Sequence, residues 1–216
     1  MISVRIIYVM DLTVADAANL AGVTTHQVNT ALRTGALHAL RTVGSTVLMD
    51  DLAVQAWNRA RGRGRRWSRA SRDASLDLAS TGVTEQLDGT ELSRLKRVLH
   101  GITARQFAYL AGGLGGSWAR YRALERLTEI DPIYPAEVSR EFQVAASSRN
   151  RVVRTDNLDR FEERWLLQLD GDGDLGVVER SPDPRRARQL LDIYLLGSAR
   201  ESIAAAEELE AACHGL

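Results

Sequence analysis

The chain has 216 residues, of which 44% are hydrophobic and 26% charged, so it can bury a core and is not disordered throughout. That length admits one large domain or two small ones. The formal net charge is zero, yet the first 75 residues hold ten arginines against five acids while the rest hold 18 basic and 23 acidic residues, which suits one end to a polyanion and not the other.

Cys213 is the only cysteine, which excludes an intrachain disulfide and suits a reducing cytoplasm, the expected location. The apolar run Ile2–Val9 is too short, and too soon followed by Asp11, to be a signal peptide. There is no run of about 18 apolar residues, and no membrane partner is expected.

In chain order, the β-branched residues of Val4–Val9 predict a short strand. Thr13 predicts a helix N-cap, with Asp16 as the short counterpart of the Glu in a capping box, and a helix follows from Val14 to Ala21. After Gly22 a second helix is expected from Thr24 to Thr34, stopped by Gly35. Leu37–Arg41 and Thr46–Met49 flank Val43-Gly44-Ser45 as a hairpin, and Asp50 or Asp51 caps a helix through Trp57 to about Arg61. Seven arginines and no acid between Arg59 and Arg72 predict an exposed, mobile arm.

Beyond the polar stretch Ser68–Ser80, helical spacing returns at Leu92, Leu95, Val98 and Leu99, and again at Phe107, Leu110 and Ala111. Gly112, Gly113, Gly115 and Gly116 interrupt it, and a helix is expected from Ser117 to about Thr128. Pro132 and Pro135 mark a loop, and Pro135 is expected to open a short helix at Ala136. Trp165–Leu169 and Leu175–Glu179 read as strands, and Pro184–Leu196 and Ser198–Cys213 as closing helices. The fold class expected is mainly α with small β-hairpins. Its parts are an N-terminal unit over 1–67, a basic and polar linker over 68–88, and a mostly helical dimerisation or partner-binding domain over 89–216.

The functional signal lies in Val14–Arg33. Two helices that cross steeply need a small residue at their contact, a glycine in the turn and a buried branched residue in the second helix. Ala18, Gly22 and Val28 stand fifth, ninth and fifteenth in one register, with Ala17, Val23 and Ala31 in the apolar places between. The same register leaves Thr24, Thr25, His26, Gln27, Asn29, Thr30 and Arg33 facing outward, side chains able to read base edges in a major groove. Arg41 beside the hairpin tip, and Arg61, Arg63, Arg65 and Arg66 in the arm, are candidate phosphate contacts. The plainer alternatives are a helical hairpin packed for structure, an arm that is only a solvated linker, and Trp67 packing on its own domain instead of stacking on a base.

Over Thr13–Trp57 the chain resembles the winged helix-turn-helix of the excisionase and MerR-like group. The resemblance is carried by Thr13-Val14-Ala15-Asp16-Ala17-Ala18, Ala21-Gly22-Val23-Thr24, Gly35-Ala36-Leu37 and Val47-Leu48-Met49-Asp50-Asp51-Leu52. It covers about a quarter of the chain and implies binding to double-stranded DNA, usually as a dimer. The second half, with Asp183-Pro184-Arg185-Arg186-Ala187 opening a helix of wide apolar face (Leu190, Leu191, Ile193, Tyr194, Leu195), is similar in character to larger actinobacterial antitoxins, including VapB-type partners of PIN-domain ribonucleases. That likeness implies an autorepressor that masks a toxin. A stand-alone regulator, an excisionase-like architectural factor and a non-DNA-binding adaptor are the other readings.

No catalytic or cofactor chemistry is expected. The Asp170–Asp174 run fails as a calcium loop, because Leu175 stands where glycine is needed and Ser181 where a bidentate acid is needed. The glycine cluster lacks phosphate-loop spacing. His38, His100 and His214 read as ordinary surface or core residues, so neither a metal nor a cofactor is assigned and the chain is not read as an enzyme.

Overall fold

The computed structural model describes residues 11–122, 151–170, 173, 175–180 and 183–216. The strand expected at Val4–Val9, the proline loop and the helix at Ala136 lie outside them.

Local chemistry sets the first two helices. In α1 (Val14–Ala21) the Thr13 hydroxyl accepts from the Asp16 N–H at 3.3 Å and the Asp16 carboxylate accepts from the Thr13 N–H at 3.2 Å, the reciprocal box expected from the spacing. The Thr13 hydroxyl, and then its amide, hold the Asp16 carboxyl below the usual carboxylate range. Gly22 closes the helix at φ 61. A second box opens α2 (Thr25–Arg33), where Thr24 Oγ1 accepts from Gln27 N–H at 3.3 Å and Gln27 Oε1 accepts from Thr24 N–H at 3.1 Å. Ala17, Ala18, Ala21, Val28 and Ala31 are buried between the helices, and small side chains there let the backbones approach.

The strands β1 (Arg41–Val43) and β2 (Thr46–Leu48) pair antiparallel with Val43 opposite Thr46 across a two-residue turn, Gly44-Ser45. Leu12 bridges Met49, which ties the entry to α1 onto the hairpin. The helix α3 (Asp51–Arg59) is capped by Asp50, whose carboxylate accepts from the amides of Leu52 at 2.8 Å and Ala53 at 3.3 Å.

The rest of the chain adds α4 (Arg69–Thr81), α5 (Gly89–Leu99), α6 (Ala104–Leu110), β3 (Trp118–Arg122), β4 (Arg151–Thr155), α7 (Leu158–Trp165), β5 (Gln168–Leu169), β6 (Leu175–Glu179), α8 (Arg186–Leu196) and α9 (Ala199–His214). The class is mixed α/β, and 53% of the described residues are helical. Its β component exceeds the hairpins expected, because β4, β6, β3 and β5 form one four-stranded sheet in that order. Only the β4–β6 pair is parallel.

Three expectations of local structure are corrected here. The helix expected from Ser117 begins instead as β3, pairing antiparallel with β6 from Trp118 opposite Val178 to Tyr121 opposite Leu175. Trp118, Ala119, Arg120 and Tyr121 are all buried, and a strand covered on both faces shows no alternation that could separate it from a helix. The linker expected over 68–88 holds α4, a thirteen-residue helix with Ala74, Ser75, Leu76, Leu78 and Ala79 buried. Its polar residues lie mostly on the outward face, and the buried Ser75 hydroxyl is satisfied by the Arg72 carbonyl. Similarly, Trp165–Leu169 is the end of a helix followed by a two-residue strand.

The sheet separates two apolar clusters. One, on the α7 side, joins Ala119, Tyr121, Val153, Leu175 and Val177 to Leu158, Phe161 and Trp165. The other is continuous from Leu12 to Cys213 and takes in α1–α6, α8 and α9, so packing does not divide the chain at 67 and 88. Six of the eleven residues of α8 belong to it, and Arg188 and Asp192 on the same helix are buried as well.

Cys213 lies at the end of that core, fully buried, and burial pushes its thiol up to about 12. In native buffer near neutral pH the thiol is expected to resist a disulfide reagent such as Ellman's and to react with one equivalent only after denaturation. Prompt native labelling would show that α9 opens on its own. No helix among the described residues is long and apolar enough to cross a membrane.

Candidate nucleic-acid interface

The outward face of α2 follows from the burial of its opposite face. Val28 and Ala31 are inside, while Thr25, His26, Asn29 and Arg33 are exposed and Thr30 is half-buried. His26, Asn29, Thr30 and Arg33 recur at spacings of three and four and so share one side of the helix. Thr24 and Gln27 are also exposed, but they spend their side-chain oxygens on each other's backbone amides at the helix start. The candidate reading surface therefore narrows to Thr25, His26, Asn29, Thr30 and Arg33.

The arginines proposed for phosphate contact separate into distinct groups. Arg41, on β1, pairs with the Asp11 carboxylate, so its charge is largely neutralised although its side chain remains 47% exposed. The hairpin tip itself is solvent-facing, with Val43 59% exposed. Arg61 is half-buried, its guanidinium 5.7 Å from the Trp57 ring centroid, and its backbone carbonyl accepts from Arg105 Nε at 3.2 Å. It is a packing residue. Arg63 and Arg65 are exposed and form no ion pair among the described residues, and Arg66 lies 5.6 Å over the Tyr109 ring.

The expectation of a mobile arm is thus corrected. Arg59 Nη1 donates to the carbonyls of Tyr194, Leu195 and Gly197 at 3.1, 2.8 and 2.8 Å, capping the C-terminal end of α8 where a cation is favoured, and the Tyr194 hydroxyl donates back to the Arg59 carbonyl at 3.2 Å. The Tyr109 hydroxyl donates to the Gly64 carbonyl, and any side chain at position 62 would collide with the Tyr109 ring. Trp67 meets Phe107 edge-on at 5.6 Å and donates its amide to the Leu110 carbonyl at 3.1 Å, so it packs on its own domain. Charge composition alone could not show this, because the partners lie on α6 and α8.

Two buried ionic groups had no sequence signal. On β3, Arg120 is fully buried against Asp50, the cap of α3, and also donates to the Gly173 carbonyl at 3.1 Å. On β4 and α8, Arg154 and Arg188 share Asp192, with N–O distances of 2.5 and 2.7 Å and all three side chains at most 4% exposed. His38 is half-buried, His100 is exposed, and the His214 ring meets the Ile102 carbonyl at 3.2 Å.

No protein family, curated protein or solved structure matches this chain.

Proposed function

We propose that the chain is a sequence-specific DNA-binding transcriptional regulator, with α1 and α2 as a helix-turn-helix, the β1–β2 hairpin as its wing and α2 as the helix that enters the major groove. The observation that carries this reading is the division of α2 into a buried face of Val28 and Ala31 and an exposed face of Thr25, His26, Asn29 and Arg33. These are short hydroxyl, imidazole and amide groups and one arginine, the donor and acceptor set that base edges require. Arg63 and Arg65 supply backbone charge from the segment after α3. Binding as a dimer to a two-fold site is the arrangement such units commonly use.

Of the regulator readings, the burial of α8 favours the stand-alone form. Ala187, Leu190, Leu191, Ile193, Leu195 and Leu196, the apolar face that a toxin would have covered, are already inside this chain's own core. An antitoxin would need another surface, and co-purification with the product of an adjacent gene is the measurement that would restore that reading.

The test is a gel-shift titration against the gene's own upstream region at two salt concentrations. Specific binding is expected to weaken steeply with salt. Asn29→Ala or Arg33→Ala is each expected to weaken it about tenfold, or about 1.4 kcal/mol, without changing the thermal midpoint. Specific binding untouched by both substitutions would remove α2 as the reading helix, and no binding to any duplex in a genomic selection would leave the helix pair a protein-docking element.

A further inference from the structure

We infer that the chain carries a second, separate site, for a small phosphoryl-bearing anion, between the Gly112–Gly116 loop and the guanidinium groups of Arg66, Arg72 and Arg180. These residues come from the segment before α4, from α4 itself and from the end of β6, and they line one cavity of about 340 Å³ with Gly112, Gly115 and Gly116. That volume is at the small end of the range for small-molecule sites, about 300–1,000 Å³. No carboxylate lines it.

The charge in this cavity is poorly compensated. Arg180 is half-buried, its guanidinium bonds only to the Leu114 carbonyl at 3.4 Å, and it has no acidic partner among the described residues. Burial first, then the neighbouring Arg154, pushes it down to about 10, and the more distant carboxylates of Asp192 and Asp183 offset only part of that. The Nε of Arg72 is buried without a hydrogen-bond acceptor; Asp73 stands 3.8 Å away and is shared with Arg185 and Arg69. Asp192, the acid behind the loop, is already taken by Arg154 and Arg188.

The loop is held against this cationic wall. The Leu114 carbonyl accepts from Arg154, Arg180 and Arg188 at 3.4, 3.4 and 3.3 Å, and a side chain on Gly116 would collide with the Glu179 carbonyl. The amides of Gly115 and Gly116, which line the cavity, donate to no backbone carbonyl among the described residues. Backbone amides without a carbonyl partner, on a cavity that three arginines also line, are a donor set suited to a tetrahedral oxyanion carrying more than one charge. Trp67, Leu110 and Ala111 form an apolar wall beside it, which suits the organic part of a small phosphorylated molecule better than a duplex backbone. The loop matches no phosphate-binding sequence motif, because the arginines that complete the site are distant in the chain.

The site stands independently of DNA binding, and its test is run without DNA. Isothermal titration of the full chain with inorganic pyrophosphate is expected to show saturable one-to-one binding, and pyrophosphate to raise the thermal midpoint. Arg72→Gln, Arg66→Ala and Arg180→Ala are each expected to weaken that binding by roughly tenfold or more, while Arg97→Ala, an exposed arginine on α5, leaves it unchanged. Arg66→Ala and Arg72→Gln alter solvent-accessible side chains and keep the test valid if Arg180→Ala does not fold. Absence of saturable binding by folded wild type up to millimolar pyrophosphate overturns the site, as does binding that the folded Arg66 and Arg72 variants retain in full. Loss of duplex binding in these variants, with no pyrophosphate binding by wild type, overturns it in favour of DNA backbone phosphate as the occupant.

Discussion

Arg120→Met is expected to destabilise the protein by about 3–5 kcal/mol, the cost of leaving one member of a buried ion pair without its partner. Asp50 and Arg120 are both fully buried as side chains, and Asp50 has a second duty as the cap of α3 through the amides of Leu52 and Ala53. Removing the guanidinium leaves a buried carboxylate with only those two donors. It also frees the Gly173 carbonyl that Arg120 binds. Because domains are stable by only about 5–15 kcal/mol, this is a large share of the total. Urea unfolding at neutral pH measures it. The double variant Arg120→Met/Asp50→Asn is expected to lose less than the sum of the two single variants, since neutralising both partners removes the stranded charge. A loss below about 1 kcal/mol for Arg120→Met would mean that water reaches Asp50 and that the joint between α3 and β3 rests on apolar contact alone.

Asp192→Ala is expected to be at least as severe, losing about 5 kcal/mol or abolishing the cooperative transition. Here one carboxylate holds two guanidinium groups, Arg154 through Nε at 2.7 Å and Nη2 at 2.5 Å, and Arg188 through Nη2 at 2.7 Å. Arg188 already has Nε and Nη1 buried without acceptors, and burial drives its pKa down, the sign of a charge that is costly where it sits. Without Asp192 two like charges face each other with only the carbonyls of Gly113 and Leu114 to receive them. Arg154→Met is expected to cost less than Asp192→Ala, because it keeps the Arg188–Asp192 pair and removes a like charge. Circular dichroism during urea titration separates the cases. An Asp192→Ala protein as stable as wild type would show that the arginines reach solvent or are satisfied by water.

The candidate site was legible in the sequence to the extent that it is local. Thr13 with Asp16 and Thr24 with Gln27 mark helix starts because a capping box is complete within four residues. Ala18, Gly22 and Val28 mark the contact between α1 and α2 because a small residue on the first helix, a glycine in the turn and a branched residue on the second stand at the spacing a steep crossing needs. The same period named the exposed face of α2, but not that Thr24 and Gln27 would be consumed by their own cap, nor that Asp11 would occupy Arg41. Arg61, read as a phosphate contact, proved to pack on Trp57.

What the amino-acid order determined by itself were the features whose partners lie within a helical turn or a hairpin: the caps, the Gly44-Ser45 turn, and the apolar stripes of α5, α6 and α8. Tertiary structure alone decided that Trp118–Arg122 is a strand, that Arg69–Thr81 is a core helix, and that an arginine-rich segment is clasped by Tyr109 and the end of α8. It also decided that arginines from two distant parts of the chain, Arg66 with Arg72 and Arg180, line a cavity with a glycine loop. The physical reason is range. A cap or turn is satisfied by neighbours in sequence, whereas strand pairing and a buried guanidinium are stable only through partners about 40 to 140 residues away, whose identity no local pattern encodes.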